Sequence, residues 1–174
     1  MLKLAKPYEA ELADKWMSTV DDPKYKYFHY NDHARLAPEI RMSNWADLQY
    51  VSVNSENEVI GYFDAEVGRA SRNVMSLSIL AFEENNVFSL DLMRFFDLLF
   101  LERNIRKVCF SVVIGNPAEQ FYDRFIQKFD GQIVGVRREQ VILMDGEYYD
   151  DKLYEIFRED YIRNRRNVKK RQHT

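Results

Sequence analysis

The chain has 174 residues, 46% of them hydrophobic and 30% charged, with 12 Phe and 11 Tyr. This is enough for one domain around one core and too aromatic for a disordered chain. Cys109 is the only cysteine, and the histidines (His29, His33, His173) are scattered, which excludes a disulfide scaffold and a Cys/His zinc finger.

No apolar run approaches a membrane span, and the opening residues turn polar too soon for a secretory signal. A reducing cytoplasm is therefore the expected compartment. The formal charge of −3 comes from 25 basic and 28 acidic residues. Arg163, Arg165, Arg166, Lys169, Lys170 and Arg171 crowd the end, leaving the body acidic. Such a body attracts cations and repels nucleic acid. Two units are expected: a domain over 1–162 and a basic, flexible tail over 163–174.

Leu2 to Lys6 reads as an opening strand. Pro7 starts a helix to about Val20, with Leu12, Trp16 and Val20 on one face, and Asp21-Asp22-Pro23 stops it. Residues 24–42 are rich in aromatics and irregular, and Ser43 is suited to an N-cap. Strands follow at Gln49–Val53, Val59–Val67 and Val74–Phe82, joined by turn-rich clusters, so an antiparallel meander is expected. Phe88 to Arg103 carries a helical stripe of Phe88, Leu92, Phe95 and Leu99. Lys107 to Ile114 reads as a strand buried on both faces, with Cys109 as a core thiol.

Asn116, Pro117 and Glu119 have the spacing of an N-cap, first helical residue and capping-box partner, ahead of Phe121, Phe125 and Phe129. Ile133–Met144 and Tyr148–Phe157 form a hairpin around Asp145-Gly146. A short helix from Arg158 to Asn164 ends the pattern. The order gives an α+β, or mixed α/β, domain: a largely antiparallel sheet joined to a helix-crossed parallel pair.

The run Ile114-Gly115-Asn116-Pro117-Ala118-Glu119-Gln120-Phe121-Tyr122 resembles a strand-Asn-Pro-Ala-helix motif of the GNAT superfamily of acyl-CoA-dependent N-acetyltransferases. Val59-Ile60-Gly61-Tyr62 and Asn104-Ile105-Arg106-Lys107-Val108 are similar to its strand entries. The stretch Val141 to Asp150, with Tyr154 and Arg158 to Tyr161, resembles the ribosomal-protein and spermidine acetyltransferase branch. The resemblance implies the GNAT-like fold, a mostly antiparallel central sheet with a splayed parallel pair flanked by helices. It implies transfer of an acetyl group from acetyl-CoA, releasing coenzyme A and using no metal, to a primary amine of a small cationic molecule or a protein.

By the same resemblance Tyr122 donates a proton to the thiolate and Asn116 bonds the pantetheine arm. Leu80, Ala81 and Phe82 offer backbone groups, and Asn85, Asn86 and Ser89 stand where the family holds the pyrophosphate. The residues also admit plainer roles: Tyr122 packing beside Phe121 and Phe125, and Asn116 capping its helix. Asp64 and Glu66 share a strand face with Tyr62, suited to holding an ammonium or relaying its proton, or simply to facing solvent.

One departure stands out. Phe82-Glu83-Glu84-Asn85-Asn86-Val87-Phe88-Ser89 has neither glycine nor a basic residue where the family keeps a glycine-rich loop. Asn85 and Asn86 are expected to imitate glycine in the left-handed region, while Glu83 and Glu84 repel phosphate. The competing expectation is thus a GNAT-like domain with lost or altered acyl-CoA binding that serves as an interaction module. Partners expected are the amine acceptor and a second copy paired through the final hairpin, with no membrane and no nucleic acid.

Overall fold

In the computed structural model, residues 1–28, 36–42 and 45–171 are described, with 166–171 as backbone alone. The expectations on His29, His33, Ser43 and His173 fall outside them. The strands are β1 (Leu2–Leu4), β2 (Asp47–Val53), β3 (Val59–Gly68), β4 (Asn73–Ala81), β5 (Lys107–Val113), β6 (Gln132–Ile142) and β7 (Tyr148–Phe157). The helices are α1 (Glu9–Thr19), α2 (Asn86–Asp97), α3 (Glu119–Lys128) and α4 (Arg158–Arg171). The seven strands form one sheet in the order β1-β2-β3-β4-β5-β7-β6. All neighbours are antiparallel except β4 and β5. The expected fold class and meander are present.

The alternation along β3 explains how one strand serves two cores. Phe63 and Ala65 enter the larger cluster with α2, α3 and Tyr161 of α4, while Tyr62 turns to the other face. There it joins Leu12, Trp16 and Val20 of the first helical region. Gly61 has a steric purpose, because a Cβ would overlap the Phe88 ring at the start of α2. Gly115, at φ +92°, makes the turn into α3.

Several boundaries differ from expectation. β1 ends at Leu4, and a 3-10 turn over Lys6–Tyr8 precedes α1. α2 starts at Asn86, because the Asn85 side chain accepts the Phe88 N–H at 3.0 Å, and it passes into a π-helical turn over Leu98–Glu102. α4 extends to Arg171, so the expected break at residue 163 falls inside a helix. Arg165 grips both Asp97 oxygens through Nε and Nη2, at 2.8 and 2.7 Å, and Arg163 reaches Asp130 at 3.0 Å. β5 is not buried on both faces: Cys109 and Ser111 are half-buried, because the sheet opens beside them. Edge strand β6 exposes Ile133, Val134 and Val136. No helix among the described residues is long and apolar enough to cross a membrane.

Candidate active site

The parallel contact between β4 and β5 consists of Asn73↔Lys107 and Val74↔Val108. Beyond it the strands diverge, and three adjoining cavities fill the wedge. The first, about 500 Å³, lies between β4, the start of α2 and the start of α3. Ala81, Phe88, Leu92, Asn116, Phe121 and Tyr122 line it. The second, about 170 Å³, shares Ile79, Asn116 and Tyr122 with the first. It shares Ser78, Phe110 and Ser111 with the third, about 600 Å³, which opens beside Trp16, Tyr62 and Asp64. The chain of cavities therefore runs from Asn116 to Asp64, passing Tyr122.

The edge of β4 in this wedge has a definite polarity. The Phe82 N–H donates to the Ile60 carbonyl at 3.0 Å, and its carbonyl accepts from the Tyr25 hydroxyl at 3.2 Å. In an antiparallel ladder alternate residues face the same neighbour, so Leu80 also turns its backbone toward β3, while Ile79 and Ala81 turn theirs into the wedge. Of the three residues expected to offer backbone groups, Ala81 is thus the one placed to do so. Phe82 is corrected, since both its backbone groups are engaged, and Leu80 contributes only by lining the cleft.

Tyr122 sits in the first turn of α3, buried against Phe110 and Phe121 with ring centroids 5.1 and 5.2 Å away. Burial pushes its phenol above the ordinary range, so it keeps its proton. Among the described residues nothing hydrogen-bonds its hydroxyl, and Tyr122 lines both the first and the second cavity. The Asn116 side chain does two things: its amide oxygen accepts the Ala118 N–H at 2.9 Å, and it borders the cleft. Glu119 closes the turn by accepting the Gly115 N–H at 2.9 Å, one residue earlier than a capping box predicts. α3 begins at Glu119 rather than Pro117. Lys152 ties Glu119 and Asp123 to β7, and Tyr154 donates to Asp123 at 2.8 Å, which fixes the helix carrying Tyr122.

Asp64 and Glu66 share a face as expected, but only Asp64 borders the large cavity. Glu66 lies exposed farther along β3, opposite Asp47 and Ser76. Burial raises the Asp64 carboxyl to about 6. The Tyr62 hydroxyl bond and Arg41 pull it down, and Asp47 and Glu66 push it up. Gln49 donates to the Tyr62 oxygen at 2.9 Å and so orients that hydroxyl. Trp16 meets Phe28 and Tyr62 edge-on at 5.1 and 5.7 Å, giving the pocket an aromatic wall.

The segment before α2 departs from the expected imitation of glycine. Asn85 is extended at φ −144°, and neither Asn85 nor Asn86 has a positive φ. The Asn85 side chain caps α2, and the Ser89 hydroxyl donates back to the Asn85 carbonyl at 3.2 Å. Glu84 borders the cleft on this side. Across it stand Lys24, Tyr25, Tyr27 and Phe28, from the segment least legible in sequence. Their only signal was the density of aromatics. Lys26 holds this segment to the β6–β7 turn by pairing with Asp145 at 3.1 Å. Cys109, expected in the core, and Arg137 both border the 600 Å³ cavity. Among the described residues no cluster of His, Cys, Asp and Glu has the arrangement of a metal site.

A meander, a parallel pair that splays after two residues, and a helix crossing from the splay define the GNAT N-acetyltransferase fold, and this chain has it. Among solved structures it is similar to the spermidine/spermine N-acetyltransferase SpeG of Vibrio cholerae in complex with manganese ions. The TM-score is 0.58 and the identity 20%, over 68% of this chain and 69% of that one. A SpeG chimera from Vibrio cholerae and hSSAT gives 0.57 and 22%, covering 67% of this chain and 71% of the other. No protein-family model matches the chain, and no curated protein matches it in sequence.

The fit to an acyl-CoA differs along the ligand's length. The cleft, with apolar walls, Asn116 and the open edge of β4, suits a pantetheine arm. The segment 82–89 presents no left-handed nest and no basic side chain to a diphosphate.

Proposed function

We propose that the protein is an N-acetyltransferase that moves an acetyl group from an acetyl thioester, acetyl-CoA in the first instance, to the primary amine of a cationic acceptor. The observation that carries this reading is the continuity of the cavities: a thioester entering beside Asn116 and an amine entering beside Asp64 meet at Tyr122. When bound, the donor supplies an activated carbonyl and a sulfur leaving group.

The chain's residues then have separable tasks. The Asp64 carboxylate and the aromatic wall of Trp16 and Tyr62 attract and orient an ammonium group. Asp64, ionised above about pH 6, takes the proton that the amine must lose, through water. The amine nitrogen forms its bond to the carbonyl carbon as the carbon–sulfur bond breaks. The Ala81 N–H steadies the carbonyl oxygen, and Tyr122 gives its proton to the departing sulfur. Glu66 has no task in this scheme.

The test is incubation of the purified chain with acetyl-CoA and a panel of diamines, polyamines and lysine peptides, with mass spectrometry of the amines. Acetylated product that forms about 10- to 100-fold more slowly with Tyr122→Phe supports the reading. If no amine is acetylated and no thioester binds, the domain is an interaction module, as the glycine-free segment would favour. The exposed apolar residues of β6 support pairing with a second copy, which sedimentation equilibrium reads directly.

A further inference from the structure

We infer that the donor site recognises the pantetheine arm and its acyl thioester alone, and that Glu84 sets this selectivity by withholding a site for the nucleotide diphosphate. The inference rests on the acetyl-transfer reading and narrows its donor to a class: pantetheine-borne thioesters, with or without a nucleotide.

A diphosphate at the head of a helix needs converging backbone N–H groups or a cation. Residues 82–89 provide neither. All six glycines lie outside residues 82–89, and no residue there has a positive φ. The Phe82 and Glu83 N–H groups both donate to the Ile60 carbonyl, at 3.0 and 3.1 Å. The Phe88 N–H is taken by the Asn85 side chain and the Ser89 N–H by the Asn85 carbonyl. What remains at the helix start is Asn86 and Val87, beside the exposed carboxylate of Glu84.

Lys24, on the opposite lip, lies 5.2 Å from the Tyr25 ring centroid. Among the described residues that line the cleft, Lys24 and Glu84 are the charged ones, and their charges cancel for a polyanion. The cleft holds about 500 Å³ in all, and away from Lys24 and Glu84 it has apolar walls, the Asn116 side chain and the wedge-facing edge of Ala81. The arm has a site that the diphosphate lacks.

Isothermal titration of the full chain with pantetheine, coenzyme A and adenosine 3′,5′-bisphosphate tests this without requiring turnover. Pantetheine and coenzyme A are expected to bind within about fivefold of each other, and the bisphosphate not at all at millimolar concentration. Coenzyme A affinity should change by less than about twofold between low and moderate salt. Glu84→Lys should tighten coenzyme A by about tenfold or more and leave pantetheine unchanged, with circular dichroism confirming the fold. Coenzyme A binding about 100-fold tighter than pantetheine, or competition by the bisphosphate, would overturn the inference while leaving the acetyl-transfer reading standing. Binding of none of the three would overturn both.

Discussion

Replacing Asp64 by Asn should raise stability and lower activity, and both effects follow from the same burial. The carboxyl titrates at about 6 against an ordinary 3.8. At 1.36 kcal/mol per unit, the folded state disfavours the charged form by up to about 3 kcal/mol; solvent at this half-buried group reduces that to about 1–2 kcal/mol.

The folded-state value is raised, so the folded protein holds a proton that the unfolded chain releases between about pH 4 and 6. Stability therefore falls as pH rises through that window and stays lower above it. Asp64→Asn should melt about 3–6 °C higher than the parent at pH 8, and within about 1 °C of it at pH 4. Its kcat/KM for amine should drop about 100-fold, and the parent's rise in rate with a midpoint near pH 6 should vanish. Thermal melts at the two pH values and a pH–rate profile decide the matter. An Asn variant less stable than the parent at pH 8 would refute the reasoning.

Tyr122→Phe should slow transfer about 10- to 100-fold with an unchanged melting temperature, because only a hydroxyl without a hydrogen-bond partner among the described residues is removed; turnover and melts check it. Gly61→Ala should cost about 1–3 kcal/mol in urea titration, since the new methyl overlaps the Phe88 ring, and it should also weaken thioester binding by shifting the first turn of α2. Asp97→Asn loses one arm of the Arg165 fork and the charge that accepts the Tyr161 hydroxyl at 2.8 Å. It should cost about 1–3 kcal/mol, with faster amide hydrogen exchange along α4.

Where local pattern and final environment agree, the sequence is easily read. Asp145-Gly146 gives a turn with Gly146 at φ +81°, and the alternation of Met75, Leu77 and Ile79 against serines gives β4, although Met75 ends exposed. The site is harder because proximity across the wedge leaves no periodic trace. Asp64 and Glu66 are indistinguishable by a period of two. In the folded chain Asp64 is half-buried and lines the cavity with Trp16 and Tyr62, while Glu66 is left in solvent. Phe82 looks like a strand end with free backbone groups until its N–H is followed to Ile60. Lys24 to Phe28 enter the site through contacts with β4, α2 and α3, which no local rule anticipates. Asn85 shows the limit of residue-type inference: the residue that tolerates a left-handed backbone is also a strong N-cap, and the cap prevailed.

Phe28 borders all three cavities. Under the proposed reaction, a ring common to all three narrows the passage in which the two reactants meet and limits the water beside the thioester. Trimming it to a methyl should therefore raise hydrolysis of the thioester relative to aminolysis, from a position that takes part in neither.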